Sequence, residues 1–287
     1  VTRLLPFTKM HGSGNDFVVL DGLAGELPPI ESLAARLCDR HTGIGADQLL
    51  VVRASQTADF RMEIFNADGS QVEMCANGIR AFYKYLRDRG HTRAECVEVE
   101  TLSGVVRPRW AGPDLVTVDM GRPILAPAKI PTLLGNDEGL GEGEGPVLDV
   151  PLELGDRTLA VSTVSMGNPH AVVLVDDPDT TPVAELGPRI EHHPAFPNRV
   201  NVEFVRILDR GRIQQRTWER GTGETLACGS GACAVAVVSM LRGVVERRVR
   251  IELRGGSLEI AWPADDASVE MTGPAAEVFT GQIPIES

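Results

Sequence analysis

Two cysteines stand in matching surroundings 153 residues apart, Cys75 in Cys75-Ala76-Asn77-Gly78 and Cys228 in Cys228-Gly229-Ser230-Gly231. Each precedes a glycine-containing turn and then a run expected to be helical. A helix start presents unpaired backbone N–H groups backed by the helix dipole, and these favour negative charge. A cysteine placed there is expected to ionise more readily than an ordinary thiol. The same N–H groups could hold a substrate carboxylate. Two such thiols suit the inversion of a stereocentre, one removing the α-proton from one face and the other returning a proton to the opposite face. Donors at the carboxylate would stabilise the enediolate-like charge that develops. A redox pair and two structural thiols are the competing readings of the same residues.

The spacing recurs elsewhere. Asn15 and Asn168, Gln48 and Asn201, and Asn66 and Glu219 are all pairs at the 153-residue offset. Singly, each Asn reads as a turn or capping residue. Paired by offset, they point to an internal duplication whose polar residues line a shared cleft. Of the other cysteines, Cys38 and Cys96 read as buried structural thiols, and Cys233 is expected to pack into its helix.

The elements that must position these residues are mostly short strands. β-type runs occur at 17–20, 48–52, 60–65, 97–101, 115–120, 171–175, 202–207, 249–253 and 257–262, most bounded by Gly, Pro, Asp or Asn. Residues 30–40 carry Ile30, Leu33, Ala34 and Leu37 at helical spacing, and 183–192 is a weaker helix. The helices after Cys75 and Cys228 are expected to be nearly apolar, central and buried. Residues 135–146, rich in Gly and Glu, read as a mobile loop without functional weight.

Composition narrows the function. With 287 residues, 43% of them hydrophobic, the chain can bury one large core or two ordinary ones. A net charge of -12 disfavours nucleic acid and anionic membranes as partners. No stretch approaches the roughly 18 apolar residues of a membrane span, and no signal peptide is expected at the N-terminus, so a cytoplasmic protein is expected. Five cysteines without a Cys-x-x-Cys pair argue against a disulfide scaffold or a zinc site, and six scattered histidines against a metal cluster. Gly229-Ser230-Gly231 with Ala234 imitates a dinucleotide fingerprint, but the preceding residues make a poor strand.

His11-Gly12-Ser13-Gly14-Asn15-Asp16-Phe17, Gly43-Ile44-Gly45-Ala46-Asp47-Gln48 and Phe65-Asn66-Ala67-Asp68-Gly69-Ser70 resemble motifs of the diaminopimelate epimerase family. So do Gly167-Asn168-Pro169-His170, Asn201-Val202-Glu203-Phe204, and the run from Trp218-Glu219-Arg220-Gly221 into Cys228-Gly229-Ser230-Gly231. The resemblance implies an α/β fold of two pseudo-symmetric domains, each a strongly curved, mainly antiparallel, barrel-like sheet around a central helix. Residues 1–125 completed by 275–287 would form one half, and 126–274 the other. It implies interconversion of LL- and meso-2,6-diaminopimelate in lysine and peptidoglycan precursor synthesis, without pyridoxal phosphate or metal, by a homodimer.

Carried over, the resemblance makes Cys75 and Cys228 the acid/base pair, supported by His170 and Glu219. Backbone N–H groups of Asn77, Gly78, Gly229 and Ser230 would hold the reacting carboxylate, with Ala76 beside them. Asn15, Gln48, Asn66, Asn168, Asn201, Glu219 and Arg220 would bind the rest of the substrate. Ala76 stands where the family usually has Gly, and a positive φ there would cost about 1 kcal/mol or more. The rivals are a proline or hydroxyproline racemase of the same architecture, a thiol redox sensor, and a non-catalytic amino-acid-binding protein. A relative with phenazine-type isomerase chemistry is disfavoured, because two thiols would be superfluous there.

Overall fold

The computed structural model describes residues 3–135 and 145–285; most of the expected loop at 135–146 lies outside them. The chain divides into two compact units, one formed by residues up to Asp119 with those from Thr272 onward, the other by Met120–Met271.

The first unit runs β1 (Arg3–Gly12), β2 (Asn15–Asp21), α1 (Ile30–Cys38), β3 (Gln48–Arg53), β4 (Phe60–Asn66), β5 (Gln71–Val72), α2 (Ala76–Asp88), β6 (Val99–Thr101), β7 (Gly104–Val106), β8 (Arg109–Gly112) and β9 (Leu115–Asp119). The terminal strand Ala276–Ile285 pairs antiparallel with β1, and the sheet continues in the order β1-β2-β3-β4-β6-β7. Only β2/β3 and β4/β6 are parallel. Parallel neighbours need a crossover, and these crossovers are α1 and α2. The apolar stripe Ile30, Leu33, Ala34 and Leu37 sets α1 on the sheet beside Val18, Leu49 and Val51.

The second unit contains β10 (Val147–Glu153), β11 (Thr158–Ser165), β12 (Pro169–Leu174), α3 (Val183–Glu191), β13 (Asn201–Asp209), β14 (Arg212–Glu219), β15 (Gly223–Thr225), α4 (Gly229–Leu241), β16 (Arg248–Leu253) and β17 (Gly256–Ala261). The strand Glu270–Pro274 then leads the chain out of the unit. Its strand order is β10-β11-β12-β13-β14-β16-β17, with β12/β13 and β14/β16 parallel. Each unit is thus a mainly antiparallel sheet with two crossover helices, the second of them buried along most of its length, the expected fold class.

The internal duplication is visible in the strand register. Phe17 pairs with Gln48 as His170 does with Asn201. Leu49 faces Phe65 as Val202 faces Trp218, and Phe65 faces Gln71 as Trp218 faces Glu224. The helices Ile30–Cys38 and Val183–Glu191, and Ala76–Asp88 and Gly229–Leu241, coincide at the same 153-residue offset. Beyond them the offset drops to 152, since Phe60 pairs with Val99 but Ile213 with Ile251.

Two expectations need correction. Helix α4 is buried and apolar, with Val235, Val237, Val238 and Met240 each contributing about 1.5–3 kcal/mol by burial. Helix α2 is buried but not apolar, because it encloses Arg80 and Lys84. Their charges are met internally: Arg80 bonds Asn77 Oδ1 and Ala76 O, and Lys84 pairs with Asp88 and Asp114. Cys96 is exposed rather than buried. It precedes β6 and joins Arg109 by an isolated bridge. Cys38 and Cys233 are buried as expected.

Candidate active site

Both site cysteines are N-caps. Cys75 (φ -136°, ψ 118°) precedes α2 and Cys228 (φ -120°, ψ 115°) precedes α4. This extended conformation turns each side chain back over the first helical turn. The Gly78 N–H donates to Cys75 Sγ at 3.4 Å, and the Gly231 N–H donates to Cys228 Sγ at 3.4 Å. The next amides, of Ile79 and Ala232, donate to the carbonyls of the same cysteines. The first-turn donors left for a ligand are therefore Ala76 and Asn77 in one unit, and Gly229 and Ser230 in the other. Gly78, expected among the carboxylate donors, is instead committed to the thiol. Ala76 is the first helical residue and does not take a positive φ, so the alanine introduces no strain there.

In the first unit, Asn15 joins the cysteine. Its Oδ1 accepts from the Cys75 thiol at 3.5 Å and from Asn77 Nδ2 at 3.3 Å, and its Nδ2 donates to Asp47 at 2.8 Å. Asp47 is held in turn by Arg40, which also pairs with Asp16. Asp16 is partly buried, which alone would raise its pKa, but hydrogen bonds from Arg40 and Lys9 hold it well below the carboxylate range. Gln48 and Asn66 face each other across β3/β4, Gln48 Nε2 donating to Asn66 Oδ1 at 3.0 Å. Gln48 Oε1 is buried without a partner, an acceptor that a substrate ammonium would satisfy.

In the second unit the surroundings are ionisable. His170 Nδ1 lies 2.9 Å from Glu203 Oε1, both side chains fully buried, and its Nε2 lies 3.1 Å from Asn168 Oδ1. The other Glu203 oxygen accepts from Gln215 Nε2 at 2.7 Å and from Thr217 Oγ1 at 2.6 Å. Glu219 accepts from Thr225 Oγ1 at 2.6 Å; burial raises its pKa, and Glu203 adds to the rise. Burial likewise pushes the Cys228 thiol well above the ordinary range, followed by the charges of Glu219 and Glu203. This corrects the expectation that a helix start would make Cys228 readily ionised. The helix end and the Gly231 amide favour the thiolate, but dehydration and two carboxylates outweigh them.

Asn201 is committed within the protein, its Oδ1 accepting from the Arg220 amide at 2.9 Å and its Nδ2 donating to the Pro169 carbonyl at 2.9 Å. It fixes the turn that carries Glu219. The exposed Arg220 guanidinium bonds the Asn198 carbonyl. Three contributors were given no role by sequence: Asp47 and Glu203, although both stand in motifs that carry the family resemblance, and Arg80. Besides that motif, the signal for Glu203 was a charged residue inside the apolar run 202–207. Among the described residues, no three His, Cys, Asp or Glu side chains are grouped to hold a metal ion. No helix among them is long and apolar enough to cross a membrane.

Known proteins resemble this chain in sequence and in fold. A diaminopimelate epimerase of Aromatoleum aromaticum is 49% identical over 98% of this chain and 99% of its own. One from Moorella thermoacetica is 47% identical over 98% and 99%. In fold, the chain is similar to a phenazine biosynthesis protein of the PhzF family from Bacillus anthracis, with a TM-score of 0.71 and 16% identity over 99% of this chain and 100% of the other. It is also similar to a probable proline racemase from Agrobacterium radiobacter, with a TM-score of 0.68 and 16% identity over 98% and 93%. The diaminopimelate epimerase family model matches residues 7–126 and 162–278. With that match and relatives nearly half identical over almost the whole length, the chain belongs to the diaminopimelate epimerase family.

Proposed function

We propose that this protein interconverts LL- and meso-2,6-diaminopimelate by proton transfer between Cys75 and Cys228, each serving one face of the α-carbon. The observation that carries this reading is the repetition of one device, a cysteine N-cap receiving the N3 amide, at the same offset in a chain of this family. One thiolate takes the α-proton and the other thiol delivers its own, so no electrons are gained or lost and no cofactor is required. Amides of Ala76, Asn77, Gly229 and Ser230 receive the charge that develops on the carboxylate. Glu219, beside Cys228, supports its proton exchange, and His170 steadies the surroundings through Glu203. Asn15, Gln48, Asn66, Asn168 and Arg220 contact the substrate, and Asn201 shapes the turn that holds Glu219 and Arg220. The protein works as a cytoplasmic homodimer.

The test is interconversion of the purified isomers under reducing conditions by wild type, Cys75→Ser and Cys228→Ser. Activity in the wild type and severe loss in both variants is expected. Turnover of proline or hydroxyproline instead would keep the chemistry and replace the substrate. No turnover of any amino acid would return the cysteines to redox or structural roles.

A further inference from the structure

The duplication gives the two thiols the same backbone geometry but different floors. At counterpart positions 153 residues apart, Phe17, Leu50, Met62 and Ile64 of the first unit become His170, Glu203, Gln215 and Thr217 of the second. All eight side chains are buried. Beneath α2, a Cβ placed on Gly78 would meet Leu50 at 3.4 Å; beneath α4, a Cβ on Gly231 would meet Glu203 Oε1 at 2.3 Å. The Glu203 carboxylate therefore lies directly against the turn whose amide bonds Cys228 Sγ. Three side chains pin it there, His170, Gln215 and Thr217.

We propose that Glu203 is a positioning residue that keeps the Cys228 thiol protonated in the resting protein, a role its counterpart Leu50 cannot play beside Cys75. A duplicated site with identical floors would bring the two thiols closer to equivalence. A fixed carboxylate behind one sulfur breaks that equivalence, because a like charge in a dehydrated site disfavours the thiolate. The other carboxylate acting on Cys228 is Glu219 from β14, with His170 from β12 paired to Glu203. Of the remaining strands packed on α4, β11 carries no titratable side chain, and Arg248, Arg250, Glu252 and Glu259 of β16 and β17 are exposed or half-buried. The proposal rests on the two-thiol reading for its catalytic meaning but not for its test.

Peptide-resolved alkylation by iodoacetamide, followed by mass spectrometry across pH, reads the Cys228 midpoint without any turnover. Exposed Cys96 serves as the reference for reagent chemistry. The expected result is a wild-type Cys228 midpoint above the ordinary thiol value of about 8.5, falling in Glu203→Gln and retained in Glu203→Asp. Below the midpoints, alkylation of Cys228 rises about tenfold for each unit by which the midpoint falls. If Glu203→Gln does not fold, the double variant Glu203→Gln/Gln215→Glu keeps the buried acid–amide pair with the charge moved to β14, away from the Gly231 turn, and a smaller fall in the same direction is expected. A wild-type midpoint at or below 8.5, or an unchanged midpoint in a folded variant lacking the Glu203 charge, overturns the proposal. Failure of the epimerase reading would show instead as absent turnover with these midpoints intact.

Discussion

Alanine at the two counterpart glycines should have very unequal consequences. At Gly231 the new Cβ would lie 2.3 Å from Glu203 Oε1, 2.7 Å from its Cδ and 2.9 Å from its Oε2. A carbon–oxygen contact needs roughly 3.2 Å or more, so something must move by about 1 Å. Glu203 is not a free side-chain end, being held by His170, Gln215 and Thr217. Overpacking costs about 1–3 kcal/mol, and weakening one bond to the buried carboxylate costs about 1.5–3 kcal/mol more. The helical preference of alanine over glycine offsets about 1 kcal/mol. A net loss of about 1.5–5 kcal/mol follows, or a fall in melting temperature of roughly 3–20 °C for a chain of this size. At Gly78 the nearest contacts are 3.3 Å to Cys75 Cβ and 3.4 Å to Leu50 Cδ2, which a shift of a few tenths of an ångström relieves. Gly78→Ala should stay within about 1 kcal/mol of wild type. Thermal unfolding of both variants at neutral pH decides the matter. A Gly231→Ala protein melting within 2 °C of wild type, or a Gly78→Ala protein that loses more, would refute the reasoning.

Other outcomes follow from the same contacts. Serine at Cys75 or Cys228 should lower interconversion by at least about a hundredfold while leaving the melting temperature near that of wild type; equal loss of both would mark the thiols as structural. Asn201→Ala strands the Arg220 amide and the Pro169 carbonyl, costing about 2–4 kcal/mol in chemical denaturation; a loss under 0.5 kcal/mol would show that the turn does not depend on it. Burial, with Glu203 adding to it, raises the Glu219 pKa in the folded state. Its contribution to stability is then full below the unfolded value of about 4.3 and lost as pH rises through the folded one. Glu219→Gln should therefore gain stability relative to wild type as pH rises from about 4 toward neutrality, while losing activity. A stability difference independent of pH would contradict the shift.

What sequence could reveal was local or repeated. The stripe at Ile30, Leu33, Ala34 and Leu37 gave α1 because burial against one sheet face is written in 3.6-residue spacing. The duplication gave the cysteine pair its weight, since matched spacing survives where identity does not. Strand β14 was missed because its buried residues are polar on both faces, Gln215 and Thr217 holding Glu203 on one and Arg216 holding Glu224 on the other. Strands β1, β10 and the terminal strand were hidden by Pro6, Pro151 and Pro284. Each proline is tolerated because its strand is paired on one side only at that point. Which first-turn amides remain for a ligand depends on where each helix begins, and no spacing rule fixes that to one residue. The part played by Glu203 depends on which strand runs beneath α4, a non-local fact absent from the order of residues.

The most direct test of the two-thiol account is the fate of the α-proton in D2O during the first turnovers of LL-diaminopimelate. If separate groups serve the two faces, the meso product should carry one deuterium at the inverted carbon, while recovered LL substrate stays unlabelled. Protium retained in the product would mean that one group both removes and returns the proton, and the paired cysteines would not be the acid and base.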